Sequence, residues 1–154
     1  MKRIKTALAI LMVLGLVVAL CACGSQPAPE GESAAGEYTL FAVETYGYTV
    51  DPAALEMTSV LTLDADGTGY LTLDDDGGDI SEWTVDGENI SVTSGVDTMV
   101  GTIHDGIVIL DFDYGNILYY AAPGADTSGV SVMNGDDFLA AVMADVEAGV
   151  IELD

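Results

Sequence analysis

The sequence predicts an all-β domain, an antiparallel up-and-down meander of about eight short strands closing into a barrel, followed by a C-terminal helix. Three observations carry that expectation. Turn-forming dipeptides recur at short, regular intervals through the middle of the chain. Between them apolar residues alternate with Thr, Ser, Asp, Glu and Asn, the period of a strand with one wet face. Near the C-terminus the apolar spacing changes to that of a helix.

The first strand is expected from Tyr38 to Glu44. Asp51-Pro52-Ala53-Ala54-Leu55 then reads as a short helical turn, with Asp as cap and Pro at the first position. The turns follow at Asp66-Gly67, Asp76-Gly77, Asp86-Gly87, Ser94-Gly95, Asp105-Gly106 and Tyr114-Gly115. Asp-Gly between alternating runs is a strong hairpin signal, because the favoured two-residue turn needs positive φ. Within the runs, Leu61 and Leu63 share a face, as do Leu71 and Leu73, Trp83 and Val85, and Ile90 and Val92. Met99, Gly101 and Ile103, then Val108, Leu110 and Phe112, then Leu118 and Tyr120 complete the series. A meander of this size must protect its edges, and closure into a barrel does so. The runs are short, so the barrel is expected to be shallow.

After Pro123-Gly124 and a Gly/Ser/Asp-rich connection, Phe138, Leu139, Val142, Met143 and Val146 form a stripe at helical spacing. Asp136 and Asp137 suit a helix N-terminus, and Gly149 ends the segment. The stripe is expected to pack on the barrel; the alternative is a helix kept for a partner.

The N-terminus reads differently. Lys2, Arg3 and Lys5 precede an apolar run from Ala7 to Leu20, the layout of a secretory signal peptide. Leu20-Cys21-Ala22-Cys23-Gly24-Ser25 resembles the lipobox of bacterial lipoproteins, which implies cleavage before Cys23 and acylation of its thiol. An uncleaved membrane anchor is the alternative, and the positive-inside rule gives it the same topology. The chain is thus divided into a signal peptide (1–22), a lipidated flexible tether (23–35), a barrel domain (36–122), and a linker with the C-terminal helix (123–154). The expected location is the outer face of the bacterial cell membrane. With Cys21 removed and Cys23 acylated, neither cysteine is left for a disulfide, a metal or catalysis.

Charge narrows the function. All three basic residues lie before Cys23, against 26 Asp and Glu after it, so the remainder carries 0 − 26 = −26 with His104 neutral. Nucleic-acid binding depends on Lys and Arg neutralising phosphates, so that class is excluded. Lys/Arg–carboxylate salt bridges within the exported part are equally excluded. High charge of one sign favours a soluble monomer.

Gly36-Glu37-Tyr38, Leu61-Thr62-Leu63-Asp64-Ala65-Asp66-Gly67-Thr68-Gly69 and Trp83-Thr84-Val85-Asp86-Gly87, with the final helix, resemble the small lipocalin-like domains of Gram-positive surface lipoproteins. The resemblance implies a calycin-type barrel, whose interior is either just wide enough for one small ligand or filled by side chains. Lipocalins also set an Arg over the first-strand aromatic, and here the only Arg is Arg3.

Three sets of side chains are candidates for function. Tyr38, Trp83, Phe112 and Tyr120 could line a ligand cavity; aromatics in small barrels also serve as core. Asp74, Asp75, Asp76, Asp79, Asp97 and Asp113 fall in or near turns at one end of a meander and could gather around Ca²⁺. Their plain reading is solvated turns. Asp111 and Asp113 are a candidate acid–base pair for hydrolysis of wall polymers. His104 sits beside a turn, without the presented nucleophile that a triad needs. The leading expectation is a non-enzymatic, lipid-anchored binding or interaction module. It would take a small apolar or sugar ligand, or a basic protein surface, and it needs no cofactor. Ca²⁺ binding is the alternative, and wall-polymer hydrolysis the third reading.

Overall fold

A computed structural model describes residues 34–112 and 115–151. The signal peptide, Cys23, almost all of the tether and Asp113 lie outside the described residues. The strands are β1 (Gly36–Thr45), β2 (Tyr48–Val50), β3 (Ser59–Leu63), β4 (Gly69–Leu73), β5 (Asp76–Asp86), β6 (Asn89–Ser94), β7 (Asp97–His104), β8 (Ile107–Phe112) and β9 (Asn116–Ala121). Each pairs antiparallel with its neighbour, and β9 returns to pair with β1. Eight strands therefore close an up-and-down barrel. β2 lengthens the wall by pairing with the last residues of β1, beyond the stretch that pairs with β3.

The alternating residues point inward as their period requires. Leu61, Leu63, Ile90, Val92, Val108, Leu110, Leu118 and Tyr120 are almost fully buried. Leu71, Val85, Ile103 and Phe112 pack against them. The two longest strands, β1 with 10 residues and β5 with 11, are not the short runs expected. Each carries a bulge that lets one continuous strand change phase. On β1 the register with β9 shifts between Leu40 and Ala42, so Tyr38 and Leu40 are buried before the shift and Val43 after it. On β5 the shift between Ile80 and Glu82 does the same for Ile80 and Trp83. A bulge also bends the strand and raises its twist, as closure demands.

One turn lies elsewhere than expected. Leu73 pairs with Asp76, so the β4–β5 turn is Asp74-Asp75, and Asp76-Gly77 belongs to β5. Asp74 takes φ +54, a conformation that Asp tolerates. It is held there by Thr58, whose amide donates to Asp74 Oδ1 at 2.7 Å and whose carbonyl accepts from the Asp74 amide at 2.7 Å. Gly77 serves a different purpose, because the Tyr70 ring lies across it, with Cε1 2.7 Å from where a Cβ would stand.

Between β2 and β3, Pro52–Leu55 form a 3-10 turn capped by Asp51, whose carboxylate accepts from the Ala53 amide at 2.9 Å. Helix α1 (Gly135–Glu147) is capped by Asn134, which accepts from the Asp137 amide at 2.9 Å. Gly149 follows its end at φ +69. α1 lies against β2 and the 3-10 turn. Phe138 meets the Tyr48 ring edge-to-face at 6.3 Å, and the Tyr48 hydroxyl donates to Asp145 at 2.6 Å. Met133 pins the connection by pairing with Val50 at the β2 edge. Only part of the stripe is used: Val142 is buried, whereas Leu139 remains 62% exposed.

Candidate functional site at the barrel mouth

The barrel has two unlike ends. β1 begins at the near end, and Trp83 and Tyr38 close it. Trp83 Nε1 donates to the Asp64 carbonyl at 2.9 Å, and the Tyr38 hydroxyl donates to the Ala34 carbonyl at 2.7 Å. In the wall between, the Tyr120 hydroxyl lies 2.8 Å from Ser59 Oγ, which itself donates to the Thr72 carbonyl. Ser59 carries no motif in the sequence, yet it satisfies the buried Tyr120 phenol. Among the described residues no buried side-chain nitrogen or oxygen lacks a partner.

The far end is open. There a cavity of about 300 Å³ is lined by Val43, Leu55, Met57, Leu73, Phe112 and Phe138. Local structure aims each of these at the same space. The β1 bulge turns Val43 inward; without it, the residue would face solvent. The 3-10 turn carries Leu55 over the opening, and Glu56 at φ +53 redirects the chain so that Met57 lines the cavity too. Asn134 starts α1 one turn before Phe138, which closes the outer side. Thr45, Tyr46 and Asn116 add the polar groups of the lining. Among the described residues no carboxylate or imidazole lines the cavity, so the chemistry of that lining is burial with a few orienting dipoles.

Of the four candidate aromatics, only Phe112 lines this cavity. Tyr38, Trp83 and Tyr120 are buried and hydrogen-bonded within the fold. Burial pushes the Tyr120 phenol up to about 12. Tyr119, which points outward and donates to Glu44 at 2.9 Å, is also pushed up to about 12, first by burial and then by that bond.

The candidate carboxylates are spread apart. Asp74 is bound to Thr58, Asp79 stands on β5 opposite Tyr70, and Asp97 opens β7 opposite Ser94. Asp75 and Asp76 are exposed beside the turn. Asp113 lies outside the described residues. Among the described residues no three His, Cys, Asp or Glu gather in a way that could hold a metal ion. Asp111 lies on the outer wall, away from the mouth cavity. His104 ends β7 at the near end, exposed, its two ring nitrogens 2.9 Å from Glu88 and 3.0 Å from Asp105.

Compared with protein families, with curated proteins and with solved structures, the chain matches none. What it can do is therefore read from its own geometry. No helix among the described residues is long and apolar enough to cross a membrane.

The charge has a measurable consequence. With −26 beyond Cys23 and no Lys or Arg to offset it, raising NaCl from low to molar concentration should raise the thermal midpoint by several degrees, roughly what relief of about 1–2 kcal/mol of repulsion gives. Ca²⁺ and Mg²⁺ at equal concentration should act alike. A larger, saturable shift with Ca²⁺ alone would mean the turn carboxylates form a specific site.

Proposed function

We propose that this protein is a lipid-anchored, extracytoplasmic binding module that takes a small apolar ligand in the mouth of its barrel. The observation that carries the reading is the 300 Å³ cavity under α1, apolar on nearly all sides and served by Thr45, Tyr46 and Asn116. That volume is at the lower bound for small-molecule sites, which favours a compact ligand over a long acyl chain. A closed antiparallel barrel with one plugged end, one open end and a C-terminal helix is the layout expected of a lipocalin-like carrier. The lipobox at Cys23 supports the location, and a described lining that is aliphatic and aromatic apart from Thr45, Tyr46 and Asn116 supports binding.

The test uses the full chain and N-phenyl-1-naphthylamine, a neutral apolar dye that brightens when buried. Saturable one-to-one brightening is expected. Met57→Trp places a large ring in the cavity from a half-buried position and should weaken dye binding by at least about tenfold with an unchanged circular dichroism spectrum. Equal dye affinity in a well-folded Met57→Trp protein would move the ligand away from the mouth.

A further inference from the structure

The outer wall carries a second surface that the mouth cavity does not explain. On β8 and β9 the wet face is missing: Ile107-Val108-Ile109-Leu110 and Ile117-Leu118-Tyr119-Tyr120 are apolar on both sides. Strands that read this way are ordinarily covered on both faces. Here Val108, Leu110, Leu118 and Tyr120 fill the interior, while Ile109 and Ile117 look outward.

Together with Val100 of β7, which is 53% exposed, they floor an open groove of about 490 Å³ that runs across β5 to β9. Asp86 and Asp111 stand at its rim. Asp111 pairs with Ile117 across β8 and β9, and so sits beside the floor.

We infer that this groove docks a cationic, apolar segment of a partner protein, one presenting Lys or Arg beside aliphatic side chains. Charge selects the occupant. With the chain cleaved before Cys23 as proposed above, Asp86 and Asp111 have no Lys or Arg of their own chain to meet, since none exists beyond that residue. His104 is held at the near end by Glu88 and Asp105. A second copy would bring the same excess of carboxylates to the face and be repelled. The groove crosses paired strands of a closed barrel, so the segment cannot add to a free strand edge. It must be read through side chains: ammonium or guanidinium groups on the rim, aliphatic groups on the floor. The rim should then govern association rate and salt dependence, and the floor specificity.

A short peptide of alternating Lys and Val is the probe, titrated onto the full chain by calorimetry. One-to-one binding is expected, and a Lys/Ser peptide of equal length should bind at least about tenfold more weakly. The double variant Asp86→Asn/Asp111→Asn and the single variant Ile109→Thr should each cost a similar factor. Asp75→Asn/Asp79→Asn, with the same change in net charge elsewhere, should cost nothing. Should Ile109→Thr not fold, Val100→Thr at the more exposed position replaces it. Equal weakening by the two double variants, or equal binding of the two peptides, would reduce the effect to bulk charge and overturn the inference. A dimer in sedimentation that Ile109→Thr dissolves would overturn it in favour of self-association. Dye binding at the mouth is measured on the same variants and should be unchanged, so the two sites succeed or fail separately.

Discussion

Gly101→Ala is expected to destabilise the barrel by roughly 3 kcal/mol or more, the upper range for forcing atoms into a packed wall. Gly101 lies on β7 between Ile90 and Leu110. A Cβ there would overlap the Ile109 carbonyl, 2.8 Å from its carbon, and stand 3.0 Å from Leu110 Cα. These are backbone atoms of the β8 ladder, so they can yield only by breaking its hydrogen bonds. Gly69 stands in the same relation to β3, with a Cβ 3.1 Å from the Thr62 carbonyl carbon. Gly95→Ala is the fitting comparison: at φ +62 in an open turn it meets no atom within 4 Å and should cost about 1 kcal/mol for conformation alone. Urea midpoints measured side by side decide the matter. If the two alanine variants prove equally stable, the wall is not held by close approach at Gly101.

The second large effect is alkaline unfolding governed by Tyr120. Burial raises its folded pKa from 10.0 to about 12, so the folded barrel keeps the phenolic proton that the unfolded chain releases more readily. The stability this reflects is fully present below pH 10 and is lost as pH climbs from about 10 to 12. Two units correspond to roughly 2–3 kcal/mol, a large share of the stability of a small domain. Tyr119 shifts in the same direction but lies on the outer wall, where solvent screens it, and it should contribute little. Tyr120→Phe should lose about 1 kcal/mol at neutral pH with its Ser59 bond, yet fall off less steeply above pH 10. Absorbance of phenolate and the near-ultraviolet dichroism, followed together, read the transition. A Tyr120→Phe protein with the same alkaline profile as the native chain would assign the unfolding to other groups.

How far the sequence could be read differs between the wall and its ends. The inward alternation from Leu61 to Tyr120 was legible because it depends only on neighbours two residues apart, and closure followed from the need to hide two edges. The Asp51 cap, Pro52 and Gly149 were legible for the same local reason. The β4–β5 turn was not, because Thr58, distant in sequence, fixes Asp74, while Gly77 is taken up by the Tyr70 ring. Nor were the bulges at Phe41 and Ser81, which exist only relative to β9 and β6. The mouth cavity depends on one of them. Val43, Leu55, Phe112 and Phe138 come from four separate segments and carry no shared motif. Trp83 and Tyr38 read as candidate ligand contacts because their partners, the carbonyls of Asp64 and Ala34, are backbone atoms that any sequence would offer.

Closure of the barrel by its first and last strands also sets a timetable. Thr39 pairs with Ala121, residues 121 − 39 = 82 apart, so the seam cannot form until nearly the whole barrel segment is available. Hairpins between neighbouring strands can form and dissolve early, because an isolated two-stranded piece is marginal by itself. Folding should thus be late and dominated by one distant pairing. For a chain threaded across a membrane as proposed above, such lateness is an advantage, because a segment that cannot lock prematurely remains linear enough to pass. A circular permutant that joins β9 to β1 and opens the chain between β5 and β6 should form the seam early, and would be the one to stall in transit.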